Sequence, residues 1–281
     1  MNPLMVKVII VSIIAVSGGV AGFSAFKYYN LSQTAYSINN FIPENSTFVA
    51  HISSGSTSAI VFSANNSIGV SLSMSFSSFM GQLNNTSNST VRQPLNISIV
   101  GNYDGFEIYE MNGLNLLSLL VNQLNLSTNA TTYADNLSLT SLLPSNYTTI
   151  YIAPIGFNGV LLGMPAGVYA AIAAGSSGHN FAFNKYINPN ANLSFYFNGS
   201  TPIISTITAN ITYSQSGNIT LNAYVNFTSP VYESAFIASA ALVFGQMNAT
   251  FTYHAYNTLI EFTANFTGSG LTNLTQAMKI P

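Results

Sequence analysis

The chain has 281 residues, of which only 4% are charged, and five basic side chains against seven acidic leave a net charge of -2. An ordinary domain is about 25% charged, and here Asn, Ser and Thr fill the deficit. The absence of Cys excludes disulfides, thiol nucleophiles, Cys-ligated zinc and iron–sulfur clusters, so the folded part must hold together by core burial alone. With no basic cluster, nucleic acid is excluded as a partner.

In chain order, the first feature is the uncharged run from Val8 to Phe26, closed by Lys7 and Lys27. At about 1.5 Å per residue it spans roughly 28 Å as a helix, near the thickness of a bilayer's hydrocarbon core. The reading it favours is a transmembrane anchor with the lipid bilayer as its partner. A secretory signal shares the pattern of a positive start and an apolar core. Gly19-Val20-Ala21 would then be the cleavage site, and cleavage after Ala21 would leave Gly22 as the mature terminus. The apolar character continues through Phe23, Ala25 and Phe26, which supports the anchor. Lys7 and the amino terminus precede the run, and this places the terminus inside and the bulk of the protein outside. The expected location is the cell membrane, single-pass with the domain outside, or secretion if the chain is cut after Ala21.

Residues 28–40 read as a stalk, and the domain begins at Phe41. Strands rich in β-branched and aromatic residues are expected at Thr47 to Ser53, Ser58 to Ala64 and Ile68 to Phe76. Residues 84–93 read as an exposed loop. Leu95 to Gly101 and Phe106 to Asn112 flank Asp104-Gly105, a hairpin signal. Leu114, Leu117, Val121 and Leu124 recur at helical spacing over Gly113 to Asn125. A hairpin at Asn158-Gly159 precedes a small-residue helix from Pro165 to Gly175. In Asn218 to Thr228 the odd positions are apolar and the even ones polar, the period of a half-buried strand. Ser229 as N-cap, Pro230 at the first helical position and Glu233 in the first turn then open a helix. That helix is apolar nearly all round from Ala235 to Gly245, which predicts burial between a sheet and another layer.

Short stretches recur. Phe41-Ile42-Pro43 answers to Leu142-Leu143-Pro144, Phe76-Ser77-Ser78 to Phe227-Thr228-Ser229, and Gly81-Gln82-Leu83-Asn84 to Gly245-Gln246-Met247-Asn248. The expected class is therefore α+β. An N-terminal transmembrane helix leads into a mostly antiparallel β domain with packed helices and a two-fold internal duplication. The expected domains are an anchor or uncleaved signal at 1–27, a stalk at 28–40, a first repeat at 41–141 and a second at 142–281.

Nineteen N-x-S/T sequons punctuate the chain. Where the middle residue is apolar on a strand, the Asn and the Ser or Thr share the outward face, and a glycan leaves the core undisturbed. The sites expected to carry N-linked glycans are Asn45, Asn96, Asn146, Asn192, Asn210, Asn218, Asn226, Asn248 and Asn265. One apolar N-terminal run, dense sequons, almost no charge and no Cys together resemble cell-surface and secreted glycoproteins of acidophilic archaea. The resemblance is one of composition, carries no functional residues, and implies an extracytoplasmic place facing hot acid.

Chemistry is sparse. No HExxH, GxSxG, P-loop or dinucleotide glycine pattern occurs, and no catalytic residue, metal or cofactor is expected. His51, His179 and His254 are far apart in sequence, with His254 on the strand expected to pair with that of Glu261. Glu107 and Glu110 fall on opposite faces of one strand, which argues against a paired-carboxylate site. The function these features favour is a membrane-anchored, heavily N-glycosylated envelope protein with a structural or adhesive role, partnered by other envelope proteins. The alternatives are a secreted bacteriocin-like antimicrobial protein, with the Ala235 to Gly245 helix as its membrane-active piece, and an extracellular enzyme or transport component. With so few carboxylates to protonate, the fold is expected to survive from pH 7 to pH 2. For the N-terminal run, mass spectrometry of the native protein should find peptides joining Phe23 to Lys27 with upstream residues; a mature terminus at Gly22 would overturn the anchor.

Overall fold

A computed structural model describes residues 37–54, 57–81, 96–112, 149–199, 201–214 and 216–267. Within them the chain divides into two units, one running to Lys185 and the other starting at Tyr186.

In the first unit a short 3-10 turn, Ile38–Phe41, leads into β1 (Phe48–Ser54), β2 (Thr57–Ala64) and β3 (Ser67–Leu72). Later come β4 (Asn96–Tyr103), β5 (Phe106–Asn112), β6 (Thr149–Pro154) and β7 (Val160–Gly163). They pair in the order β1-β2-β3-β7-β6-β5-β4, antiparallel throughout. The tight turns follow from side chains that tolerate positive φ. Asn65 and Asn66 sit at 52° and 58° between β2 and β3, and Asp104 and Gly105 at 50° and 86° between β4 and β5. Two positive-φ residues make the turn whose twist matches that of the flanking strands.

Helix α1 (Pro165–Ser177) opens on proline and closes at Gly178, whose φ of 74° lets its N–H reach Ala174 O. It approaches β3 as closely as backbone allows. Met164 N–H donates to Ile68 O at 3.0 Å, and a Cβ added to Gly167 would lie 2.7 Å from the same oxygen. Beneath the helix, Phe41 packs edge-on to Phe106 with ring centres 5.5 Å apart. Glycine at 175 leaves room for Phe41, since a Cβ there would meet its ring at 2.5 Å. A four-residue helix, α2 (Phe183–Tyr186), carries the chain from one unit to the next.

The second unit holds β8 (Leu193–Asn198), β9 (Ile204–Tyr213), β10 (Asn218–Phe227), helix α3 (Pro230–Gln246), β11 (Thr250–Tyr256) and β12 (Leu259–Thr267). Its antiparallel order is β8-β9-β10-β12-β11. Alternation along β10 is complete: Ile219, Leu221, Ala223, Val225 and Phe227 are buried, and none of the intervening residues is. Helix α3 lies on β10, β11 and β12 through Phe236, Ala240 and Phe244, one stripe at i, i+4, i+8. Phe236 stands between Phe227 and Phe262 at 5.4 and 5.8 Å, and Phe244 stacks on Phe251 at 5.1 Å. Each such ring removes enough apolar surface to stabilise the unit by about 2 kcal/mol.

Several expectations need correction. The class is not the expected α+β fold with a transmembrane helix at its head. The described residues are mostly antiparallel strand, and no helix among them is long and apolar enough to cross a membrane. The run Val8 to Phe26, the stalk up to residue 36 and the helix expected at Gly113 to Asn125 lie outside the described residues. The duplication fails on strand order. In both segments a Phe-Ser/Thr-Ser stretch leads into a helix and then a hairpin, but β12 pairs directly with β10, whereas β7 and β6 intervene between β3 and β5. Those two strands belong by sequence to the expected second repeat and by hydrogen bonding to the first sheet. Ile68 to Phe76 is not one strand either: β3 stops at Leu72, and helical residues 76–81 follow. Nor is α3 buried on all sides, because Val231 and Leu242 are 75% and 71% exposed.

Two helical glycines provide a contrast. Gly167 faces backbone at 2.7 Å, while nothing lies within 4 Å of a Cβ on Gly245. Gly167→Ala is expected to lower stability by about 1–3 kcal/mol through overpacking, and Gly245→Ala to raise it by about 0.5–1 kcal/mol through helix propensity. Thermal melts of the two variants check this, and a stabilising Gly167→Ala would contradict the close approach.

Candidate glycosylation surface

The polar side of the second sheet is built by the same alternation that buries its other side. It carries Asn218, Thr220, Asn222, Tyr224 and Asn226 on β10, and Glu261, Thr263 and Asn265 on β12. Register places Thr220 opposite Asn265, Asn222 opposite Thr263 and Tyr224 opposite Glu261. With almost no ions available, hydroxyls donate to amide and carboxylate oxygens across the strands. Thr220 Oγ1 donates to Asn265 Oδ1 at 2.8 Å, Thr263 Oγ1 to Asn222 Oδ1 at 2.8 Å, and Thr258 Oγ1 to Asn226 Oδ1 at 3.0 Å. Tyr224 donates its hydroxyl to Glu261 Oε1 at 2.9 Å, and that bond holds the phenol pKa above its ordinary value. These cross-strand pairs are the sheet counterpart of helical i, i+4 pairs, each worth a few tenths of a kcal/mol.

Such a bond has a chemical consequence for a sequon. N-glycosylation takes place at Asn Nδ2, and an Asn whose Oδ1 is fixed by a neighbouring hydroxyl has that nitrogen held in one orientation. Asn218 and Asn265 are exposed on the strand face, with Asn265 Nδ2 3.5 Å from Thr250 Oγ1. Asn198 is exposed at the end of β8. Asn248 is exposed in the turn before β11, at φ 53°. Asn45 is exposed in the first unit, and its Nδ2 donates to Asn65 Oδ1 at 2.8 Å. Asn226 is half-buried.

Two of the expected sites are more confined. Asn210 is half-buried and accepts from Ser194 Oγ at 2.6 Å. Ser194 in turn is fully buried and accepts from Asn188 N–H at 2.9 Å. Asn192 is half-buried with its Oδ1 accepting the Tyr213 N–H at 2.8 Å. Asn96 is the first residue of β4, and Asn146 lies outside the described residues. Periodicity alone treats Asn210 and Asn218 as equivalent; the fold separates them by laying residues 186–190 over one end of the polar side.

The histidines divide as well. His254 is exposed on β11, in register with Glu261, so β12 places Glu261 between it and Tyr224 on one row. His179 is exposed just beyond α1. Among the described residues no three His, Asp or Glu side chains are arranged to hold a metal ion. Glu107 accepts the Tyr109 hydroxyl and Glu110 points the other way, beside Tyr151. Set against the known protein families, characterised proteins and solved structures, the chain matches none.

His51 is the side chain whose environment the sequence concealed. It sits in the middle of β1 at 6% exposure, edge-on to Phe183 at 5.6 Å, and its Nδ1 has no hydrogen-bond partner. Burial lowers its pKa below 6.5. The unfolded chain therefore binds this proton more readily than the folded one. The stability that neutral His51 confers is complete above pH 6.5 and is lost as pH falls from there through the lower folded value. This works against the acid tolerance expected from the scarcity of carboxylates. The gap in melting temperature between pH 7 and pH 4 should be smaller in His51→Leu than in the wild type; identical gaps would show that His51 does not govern acid sensitivity.

Proposed function

We propose that the chain is an exported glycoprotein of the cell envelope, with a structural or adhesive role and N-linked glycans on its outward strand faces. The observation that carries this reading is the seating of its sequons. At Asn218 and Asn265 the Asn is exposed while the next residue, Ile219 or Phe266, is buried in the core. A sugar at either position extends into solvent without touching the packing that holds the sheet. Dense glycans also account for how a chain that is 4% charged stays dispersed in water.

Export is supplied by the run from Val8 to Phe26, which either holds the protein at the cell membrane or is removed after Ala21. Other envelope proteins are its expected partners, and the acid setting follows from the resemblance to glycoproteins of acidophilic archaea. The order of site occupancy follows how exposed and unconfined each Asn is: Asn45, Asn198, Asn218, Asn248 and Asn265 ahead of Asn226, and Asn192 and Asn210 last. Glycopeptide mass spectrometry of the protein from its native cells should find that order. An unmodified chain, or one modified chiefly at Asn192 and Asn210, would overturn the reading.

A further inference from the structure

The β4 edge of the first sheet and the β11 edge of the second are guarded differently. Strand β4 is broken by a bulge between Ile99 and Gly101, which twists an edge away from further pairing. Strand β11 runs in unbroken register against β12, from Thr250 opposite Asn265 to Tyr256 opposite Leu259. It contains no charge, no proline and no bulge, and every one of its residues except Phe251 is exposed. Among the described residues no strand pairs with its outer side.

We propose that β11 is a self-association edge, pairing antiparallel with β11 of a second copy of this chain across a two-fold axis. Backbone alternation supports the register. The two-residue turn Asn257-Thr258 closes on the pair Tyr256 and Leu259, which exchanges both backbone bonds, as such hairpins do. Tyr256, His254, Thr252 and Thr250 are then turned toward β12. Phe251, Tyr253 and Ala255 present their N–H and C=O groups outward. An antiparallel pairing centred on Tyr253 sets those three against themselves: Phe251 faces Ala255 of the second copy, and Tyr253 faces Tyr253. Every outward donor then meets an acceptor, and large side chains face small ones or stack. On the other side Thr252 faces His254 and Thr250 faces Tyr256, so no like charges meet.

The occupant is a second copy because the strand complements itself in this register and closes on a two-fold axis. The bulge in β4 blocks the alternative of β4 joining β11 head to tail, which would run on into a fibre. The inference does not depend on the glycan reading: a glycan-free chain has the same edge.

The test uses the purified full-length chain. Sedimentation velocity should show a dimer of the 29.9 kDa chain. Tyr253→Lys, which sets two ammonium groups face to face at the axis, should raise the dissociation constant at least tenfold with circular dichroism unchanged. If that variant fails to fold, Ala255→Lys sets an ammonium group against Phe251 of the second copy and should weaken the dimer likewise. The protein lacks Cys, so Tyr253→Cys supplies a lone thiol, which a short bis-maleimide should bridge between copies. Val231→Cys, on α3 and more solvent-exposed than Tyr253, should not be bridged. A monomer, a dimer indifferent to both lysine variants, or bridging at position 231 but not at 253 would overturn the proposal. So would slow hydrogen exchange at the Phe251, Tyr253 and Ala255 amides in dilute monomer, because another segment of the same chain would then cover the edge.

Discussion

Everything in this protein depends on strands that bury one side and must satisfy the other with almost no ions. Five basic and seven acidic residues over 281 positions leave no room for ion-pair networks, and no disulfide can staple the chain. Stability has to come from alternation: Ile, Val and Phe on one side, and hydroxyl-to-amide bonds on the other. Backbone ladders carry the remaining polar groups, and the turns that join them use Asn, Asp and Gly at positive φ.

The same constraint explains the helices. Neither α1 nor α3 has a charged face, so each is held by what it covers. Helix α3 does so through phenylalanines, with Phe236 and Phe244 locked among Phe227, Phe251 and Phe262. Helix α1 uses small residues, coming so close to Ile68 that glycine is required at position 167. One contact is adjustable because phenylalanine rings can tilt. The other is rigid because its opposing surface is backbone.

A sheet with so few charges has two liabilities. Its polar face offers little to keep copies apart, and sequons seated outward on β10 and β12 would answer that with sugar. Its edges invite pairing: β4 is bulged, while β11 is left regular and uncharged. His51 is a third feature of the same economy. Among few ionisable groups, one buried imidazole with an unpartnered Nδ1 can weigh heavily on how the fold responds to acid.

The first two strands, the Asp104-Gly105 hairpin, the Asn218 to Thr228 alternation and the Pro230 helix start were legible in the sequence because local sterics and periodicity produce them. The opposite faces of Glu107 and Glu110 followed from the same period. The order of the strands was not legible. Short echoes such as Phe76-Ser77-Ser78 and Phe227-Thr228-Ser229 encode only a local step from extended chain into helix. Hydrogen bonds between distant segments placed β7 and β6 between β3 and β5, and no local pattern records them. Likewise Asn210 and Asn218 share a sequon and a period, and only the segment folded over Ser194 makes one half-buried and leaves the other in solvent. Local sequence specifies which side of a strand faces out; what later comes to lie on that side is decided by contacts across the whole chain.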